Sequence, residues 1–188
     1  TAITFGTANI ELADGVDLTL DSGDAAGDIT LVSIDGHSNE AVTIDAGTGT
    51  TSVGAIGAGT EIGAVNIGSS DNGTITLNGA ITTTGLVSLD GPVSLATGAI
   101  TVDSSAGNGA IDFLHTIDGA QNLTLSSGSG AINVAQGIGL TNALSALTIN
   151  SAGSGTIEIF DIGDDSVGVT GATAIGNTST TTLTLDGT

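Results

Sequence analysis

Apolar and polar residues alternate in short bursts along the whole chain. An apolar–polar–apolar triplet recurs as Leu18-Thr19-Leu20, Val42-Thr43-Ile44, Val65-Asn66-Ile67 and Val87-Ser88-Leu89. It returns as Leu123-Thr124-Leu125, Leu147-Thr148-Ile149 and Leu183-Thr184-Leu185. A period of two turns successive side chains to opposite sides, so each triplet predicts a short strand with one face inward. The triplets start 24, 23, 22, 36, 24 and 36 residues apart. The two long intervals contain more strand-like material, Ile100-Thr101-Val102 and Val167-Gly168-Val169. A second set of triplets follows small-residue turns: Ile29-Thr30-Leu31, Ile75-Thr76-Leu77, Ile111-Asp112-Phe113, Ile132-Asn133-Val134 and Ile157-Glu158-Ile159. Gly, Ser, Asp and Asn supply the backbone angles those turns require. A further apolar residue often comes a few positions later, at Ile34, Ile81, Ile117, Ile138 and Ile162. Helical periodicity is nowhere sustained, and Leu140–Leu147 is expected to form at most one short turn. Pro92, after Asp90-Gly91, predicts a turn or a strand start, where its missing N–H is harmless.

A unit of 22–25 residues with two or three short strands predicts one coil of a parallel β-helix. One coil cannot bury its own apolar face, but stacked coils set Ile on Ile and Leu on Leu. The expectation is an all-β, right-handed parallel β-helix of about eight coils, in a rod on the order of 40 Å long. The alternative is an antiparallel β-sandwich, which also strings short strands together. Sandwich strands need not repeat one in–out motif, which favours the solenoid. Residues 1–188 are read as a single solenoid domain, a segment of a longer chain or filament. Both Ala2-Ile3-Thr4-Phe5 and Leu183-Thr184-Leu185-Asp186 read as strand, and neither end shows a capping helix.

Composition changes this picture in two ways. Ile, Leu, Val and Phe make up 50 of the 188 residues, about 27%, which places an acidic, Gly/Ser-rich chain on the folded side. There are 20 acidic residues and no Lys or Arg, giving a formal net charge of −20. Such a chain has no cationic groups for phosphates, so nucleic acid is not an expected partner. It is repelled by anionic membranes, and no apolar run reaches the length of a membrane span. With no Cys, disulfides and thiolate chemistry are excluded. The absence of Lys and Arg also removes trypsin-type cleavage sites, which suits an extracellular location.

The phrases Asn122-Leu-Thr-Leu-Ser-Ser-Gly-Ser-Gly-Ala-Ile-Asn-Val134 and Ala143-Leu-Ser-Ala-Leu-Thr-Ile-Asn-Ser-Ala-Gly-Ser-Gly155 resemble the repeats of filamentous-haemagglutinin-like bacterial surface proteins. The resemblance covers nearly the whole chain and is low in complexity. It implies a secreted β-helix of the adhesin or matrix type. No Asn-Pro-Asn-type secretion motif accompanies it.

Candidate chemistry is carried by carboxylates. Calcium prefers several oxygen ligands, and two clusters could offer them: Asp21, Asp24 and Asp28, and Asp161, Asp164 and Asp165. A column of Asp21, Asp45, Asp90 and Asp186, with Gly68, Ser126 and Asn150 at the equivalent place, is expected beside the Thr ladder. Gly163-Asp164-Asp165 resembles the paired aspartates of β-helix pectin hydrolases, and Asp35-Gly36-His37-Ser38 loosely resembles their His motif. The order is wrong, and cations to hold an acidic sugar are missing, so acidic turns are the better reading. His37 and His115 are expected to be structural. The Thr ladder is too irregular for the paired ranks of an ice-binding face. Asn72, Asn122 and Asn177 begin glycosylation-type triplets, which such a composition produces by chance.

The expected function is therefore an extracellular, cell-surface structural or adhesive fibre-former without catalytic activity, stabilised by calcium. Its partner would be itself, end to end or laterally. The alternative is an adhesin module that binds a cell-surface glycan or protein.

Overall fold

The computed structural model describes residues 1–68, 73–150 and 155–187. Asn72 and residues 151–154 of the resembling repeat lie outside the described residues. Among the described residues, all regular elements are strands and every strand pairing is parallel. This is the parallel β-helix; the antiparallel sandwich does not describe it. Among the described residues, no helix is long and apolar enough to cross a membrane.

Each turn of the chain passes through three strand positions, here called faces. The first face stacks Ile3, Ile29, Thr51, Ile75, Val93 and Ile117, then continues through single bridges to Ile138 and Ile162. The second stacks Ile10, Ile34, Ile56, Ile81, Val102, Leu125, Ile149 and Ile175. The third stacks Leu18, Val42, Val65, Val87, Ile111, Ile132, Ile157 and Leu183. Strands Ile29–Asp35 and Thr51–Ile56 run through the corner between the first two faces, so these form one 12-stranded sheet. The third face is a separate sheet of eight strands. Eight strands enclose seven steps, so the chain makes about seven turns, slightly fewer than the eight coils expected.

Alternation along each strand explains the core. In Val87–Asp90 and Ile100–Asp103, every first residue is buried and every second one partly exposed. The inward residues of all three faces meet in one aliphatic core, in which Phe113 is the largest fully buried side chain. Burying a side chain of the Val, Leu or Ile kind stabilises the fold by about 1.5–3 kcal/mol. Backbone hydrogen bonds between coils run along the rod, as in Ile29 N to Thr50 O and Val87 N to Ala110 O, both 2.9 Å.

The coil length was legible, but the assignment of triplets to faces is corrected. Leu123-Thr124-Leu125 and Leu147-Thr148-Ile149 lie on the second face, stacked on Ile100-Thr101-Val102. The third face continues instead through Ile111, Ile132 and Ile157. Its spacings are 24, 23, 22, 24, 21, 25 and 26 residues, so the two intervals of 36 disappear. Leu140–Leu147 forms no helical turn; its end joins strand Ala146–Asn150. Pro92 directly precedes strand Val93–Leu95, and its carbonyl accepts from Ile75 N at 2.9 Å.

Candidate functional site

The third face is an unbroken ladder of eight strands. Its outward column reads Thr19, Thr43, Asn66, Ser88, Asp112, Asn133, Glu158 and Thr184. Thr124 and Thr148 stand on the other sheet, stacked on Thr101, so the Thr residues of the triplets do not share one rank. Partial burial in this column raises the Asp112 carboxyl above the usual carboxylate range. The expected aspartate column is likewise divided. Asp21 stacks on Asp45, and Gly68 on Asp90, whereas Ser126 pairs with Asp103 and Asn150 on the second face.

Many acidic side chains act locally as acceptors for backbone N–H groups. Several reach the coil above: Asp17 accepts from Ala41 N at 2.8 Å, Asp28 from Thr50 N at 2.8 Å and Asp35 from Gly59 N at 2.7 Å. Asp118 accepts from Thr141 N at 2.8 Å and Asn142 N at 2.9 Å. Others close their own turn: Asp21 accepts from Gly23 N at 2.7 Å, Asp45 from Gly47 N and Asp103 from Ser105 N, both at 2.8 Å. A carboxylate has acceptor capacity only, which matches the donors left over wherever a strand turns a corner.

The two expected calcium clusters are built this way. In the first, Asp21 and Asp28 bind backbone donors on different coils. In the second, Asp161 accepts from Ile162 N at 2.8 Å, and Asp164 from Ser166 N at 2.8 Å and Val167 N at 3.0 Å. Those two backbone donors hold the Asp164 carboxyl below the usual range. Asp161, Ile162, Gly163, Asp164 and Asp165 line an open cleft of about 440 Å³. Among the described residues, the one acidic or His group of three whose ligating atoms all lie within 4.8 Å is Asp14, His37 and Glu40.

Glu40, which sequence reasoning did not single out, is the centre of that group and is 1% exposed. One carboxylate oxygen accepts from His37 N at 2.7 Å and Ser38 N at 2.8 Å. The other accepts from Gly15 N at 3.0 Å, while the Ser38 hydroxyl, 3.1 Å away, has its single proton closer to Asp14 Oδ1 at 2.7 Å. The backbone donors of His37 and Ser38 hold its pKa far below the usual carboxylate range. The three backbone donors make Glu40 a structural clasp between two coils; its neighbours His37 and Asp14 are exposed, 3.8 Å apart. The acidic spacing alone carried no signal for this, because burial of a loop glutamate depends on the coil below it.

His115 lies at another corner. Its Nε2 is 3.2 Å from Asp90 Oδ1, and its Nδ1 is 3.0 Å from the Gln136 amide nitrogen. A proton on Nε2 satisfies both contacts, with Gln136 donating to Nδ1; this tautomer is assigned from the network. His37 and His115 follow strands of different faces and different coils, so they form no pair.

Two smaller clefts share Phe160, which is 43% exposed. One, of about 160 Å³, is lined by Asn133, Glu158 and Asp186 as well. The other, of about 260 Å³, adds Asp161, Ile162, Leu185 and Gly187. The chain matches no family model, no curated protein and no solved structure.

Proposed function

We propose that the chain is an extracellular, non-catalytic rod that serves as a structural or adhesive fibre element, as its resemblance to filamentous-haemagglutinin-like repeats implies. The observation that carries this reading is the continuity of the three inward ladders from the first coil to the last. A stack of this kind gives length and stiffness with little else. Acidic groups clasp the corners and keep the exterior anionic, which supports solubility and resistance to trypsin-type cleavage.

Electron microscopy of the native material, with and without a calcium chelator, tests it. Thin fibres are expected, and their loss in chelator would give Asp21, Asp24, Asp28, Asp161, Asp164 and Asp165 the calcium role expected of them. A second reading, an adhesin module for a glycan or surface protein, is favoured by the clefts around exposed Phe160. An aromatic ring beside amide and carboxylate groups suits a sugar. Single short rods that bind a glycan array would replace the fibre reading with this one.

A further inference from the structure

Of the three Phe residues, Phe113 is buried, Phe5 packs against the core, and Phe160 points away from it. Strand Thr156–Ile159 alternates exposed and buried residues, and Phe160 continues the outward phase. A further strand, Thr182–Leu185, is paired beyond it, so the ring is exposed by alternation and not by an uncovered end. Phe160 N donates to Val134 O at 2.9 Å and Asp186 N to Ile159 O at 3.0 Å. These bonds set Ala135, Phe160 and Asp186 one above another. Asn133 and Glu158, paired in register, form the neighbouring outward column. Ala135 is too small to fill the space beside the ring, and the cleft of about 160 Å³ opens there.

The carboxylates of this cleft differ from those at the corners. Asp17, Asp28, Asp35 and Asp118 are occupied by backbone N–H groups of the next coil. Glu158 and Asp186 make no side-chain hydrogen bond among the described residues. Neither has a cationic partner there, since the ion pairs are His37–Asp14 and His115–Asp90, and the chain has no Lys or Arg. The face of an aromatic ring is itself electronegative. Ring and carboxylates therefore attract the same kind of ligand, a cation, and together repel an anion.

We propose that this cleft binds an organic ammonium group, seated against the Phe160 ring and held by the Glu158 and Asp186 carboxylates. The Asn133 amide oxygen accepts from the ammonium where that group carries an N–H. Clefts that bury a whole small molecule hold roughly 300–1,000 Å³. This one is smaller, so it takes a charged headgroup and leaves the rest of the ligand in solvent. The site faces water, so its attraction weakens as salt rises. The inference rests on the adhesin reading above and names the charge its ligand carries.

Proton NMR of the 188-residue chain reads the site directly, because its aromatic region holds three Phe and two His without Tyr or Trp. The Phe160 ring signals are identified by their loss in Phe160→Leu. Choline, added at constant ionic strength, is expected to shift them saturably, with a dissociation constant on the order of millimolar. Saturation transfer to the choline methyl protons gives the affinity in every variant. Phe160→Leu is expected to weaken binding by about two- to fivefold. Glu158→Gln/Asp186→Asn is expected to weaken it too and to flatten its salt dependence. All three side chains are exposed, and retained β-sheet circular dichroism checks that the variants fold. Glucosamine carries the charge on a sugar instead of an alkyl chain, and the tighter of the two probes names the source. Dimethylbutanol and glucose, their uncharged counterparts, are expected to leave Phe160 unmoved. Uncharged probes that bind equally well overturn the cation and leave the adhesin reading standing. No shift with either cation, or choline binding that Phe160→Leu does not change, overturns the site. Choline bound at Phe160 by a chain that captures no glycan or surface protein would sink the adhesin reading and uphold the site.

Discussion

Both carboxylate oxygens of Glu40 accept hydrogen bonds inside the structure, and this fixes how that residue answers to acid. Its folded pKa lies below the ordinary value of 4.5 because the His37 and Ser38 amides favour the charged form. A carboxylate depressed in this way stabilises the fold fully above its unfolded pKa, and that contribution is lost as pH falls through the folded value. Glu40→Gln replaces one acceptor oxygen with a donor facing backbone N–H groups. The variant is expected to melt at a lower temperature than the natural chain at pH 7. The gap should narrow progressively as pH falls below about 4.5, because the unfolded chain then takes up a proton at this residue that the folded carboxylate resists until still lower pH. Comparing the two melting curves at each pH cancels the general relief of negative charge. A gap that stays constant down to strongly acid pH would show that the charge on Glu40 is not what matters.

At the scale of the element, corners decide more than strands. Strand Thr51–Ile56 passes from the first face to the second at Gly54, and its register with Ile29–Asp35 skips the Val32–Gly54 pair. A Cβ at Gly54 would collide with the Val32 carbonyl oxygen, a backbone atom that cannot swing aside. Gly54→Ala is therefore expected to destabilise by about 2–3 kcal/mol, at the upper end of overpacking costs, as read from denaturant midpoints. Ala at Gly98, which has open space but a φ of +63°, separates steric collision from backbone preference. Another corner is closed by buried hydroxyls. Thr83, Ser104 and Ser127 are all 0% exposed, and they donate to the carbonyls of Gly85, Gly109 and Gly130 at 2.8, 2.8 and 2.7 Å.

These corners also explain what could be read from the chain. Strand period and coil length survive in the sequence because each inward position needs an aliphatic residue once per turn. The identity of a face does not survive, because all three faces use the same triplet. The loop from the third face to the first spans nine positions from Leu20 to Ile29, but four from Leu89 to Val93 and from Phe113 to Ile117. The step from the first face to the second lengthens in compensation, from five positions between Ile29 and Ile34 to nine between Val93 and Val102. Total coil length therefore stays steady while the triplets change phase, and Leu123 looks like the successor of Val87. The acidic residues were legible as corner groups. Their hydrogen-bond partners were not, because Asp17, Asp28 and Asp35 bind amides 22–24 residues away.

In the whole molecule, strands lie across the rod and their hydrogen bonds run along it. Tension applied between the two ends would therefore load the bonds of one coil at a time, as a zip does, rather than shear whole strands together. The third-face spacing of 21–26 residues fixes the slack released at each step. At about 3.3–3.6 Å per extended residue, that is roughly 70–95 Å. Single-molecule pulling should give a row of low, nearly equal force peaks with increments in that range. One tall peak releasing the full contour length would mean that the coils fail together. A thread made of such rods would yield in small steps under load, lengthening more than about tenfold before its last coil opens.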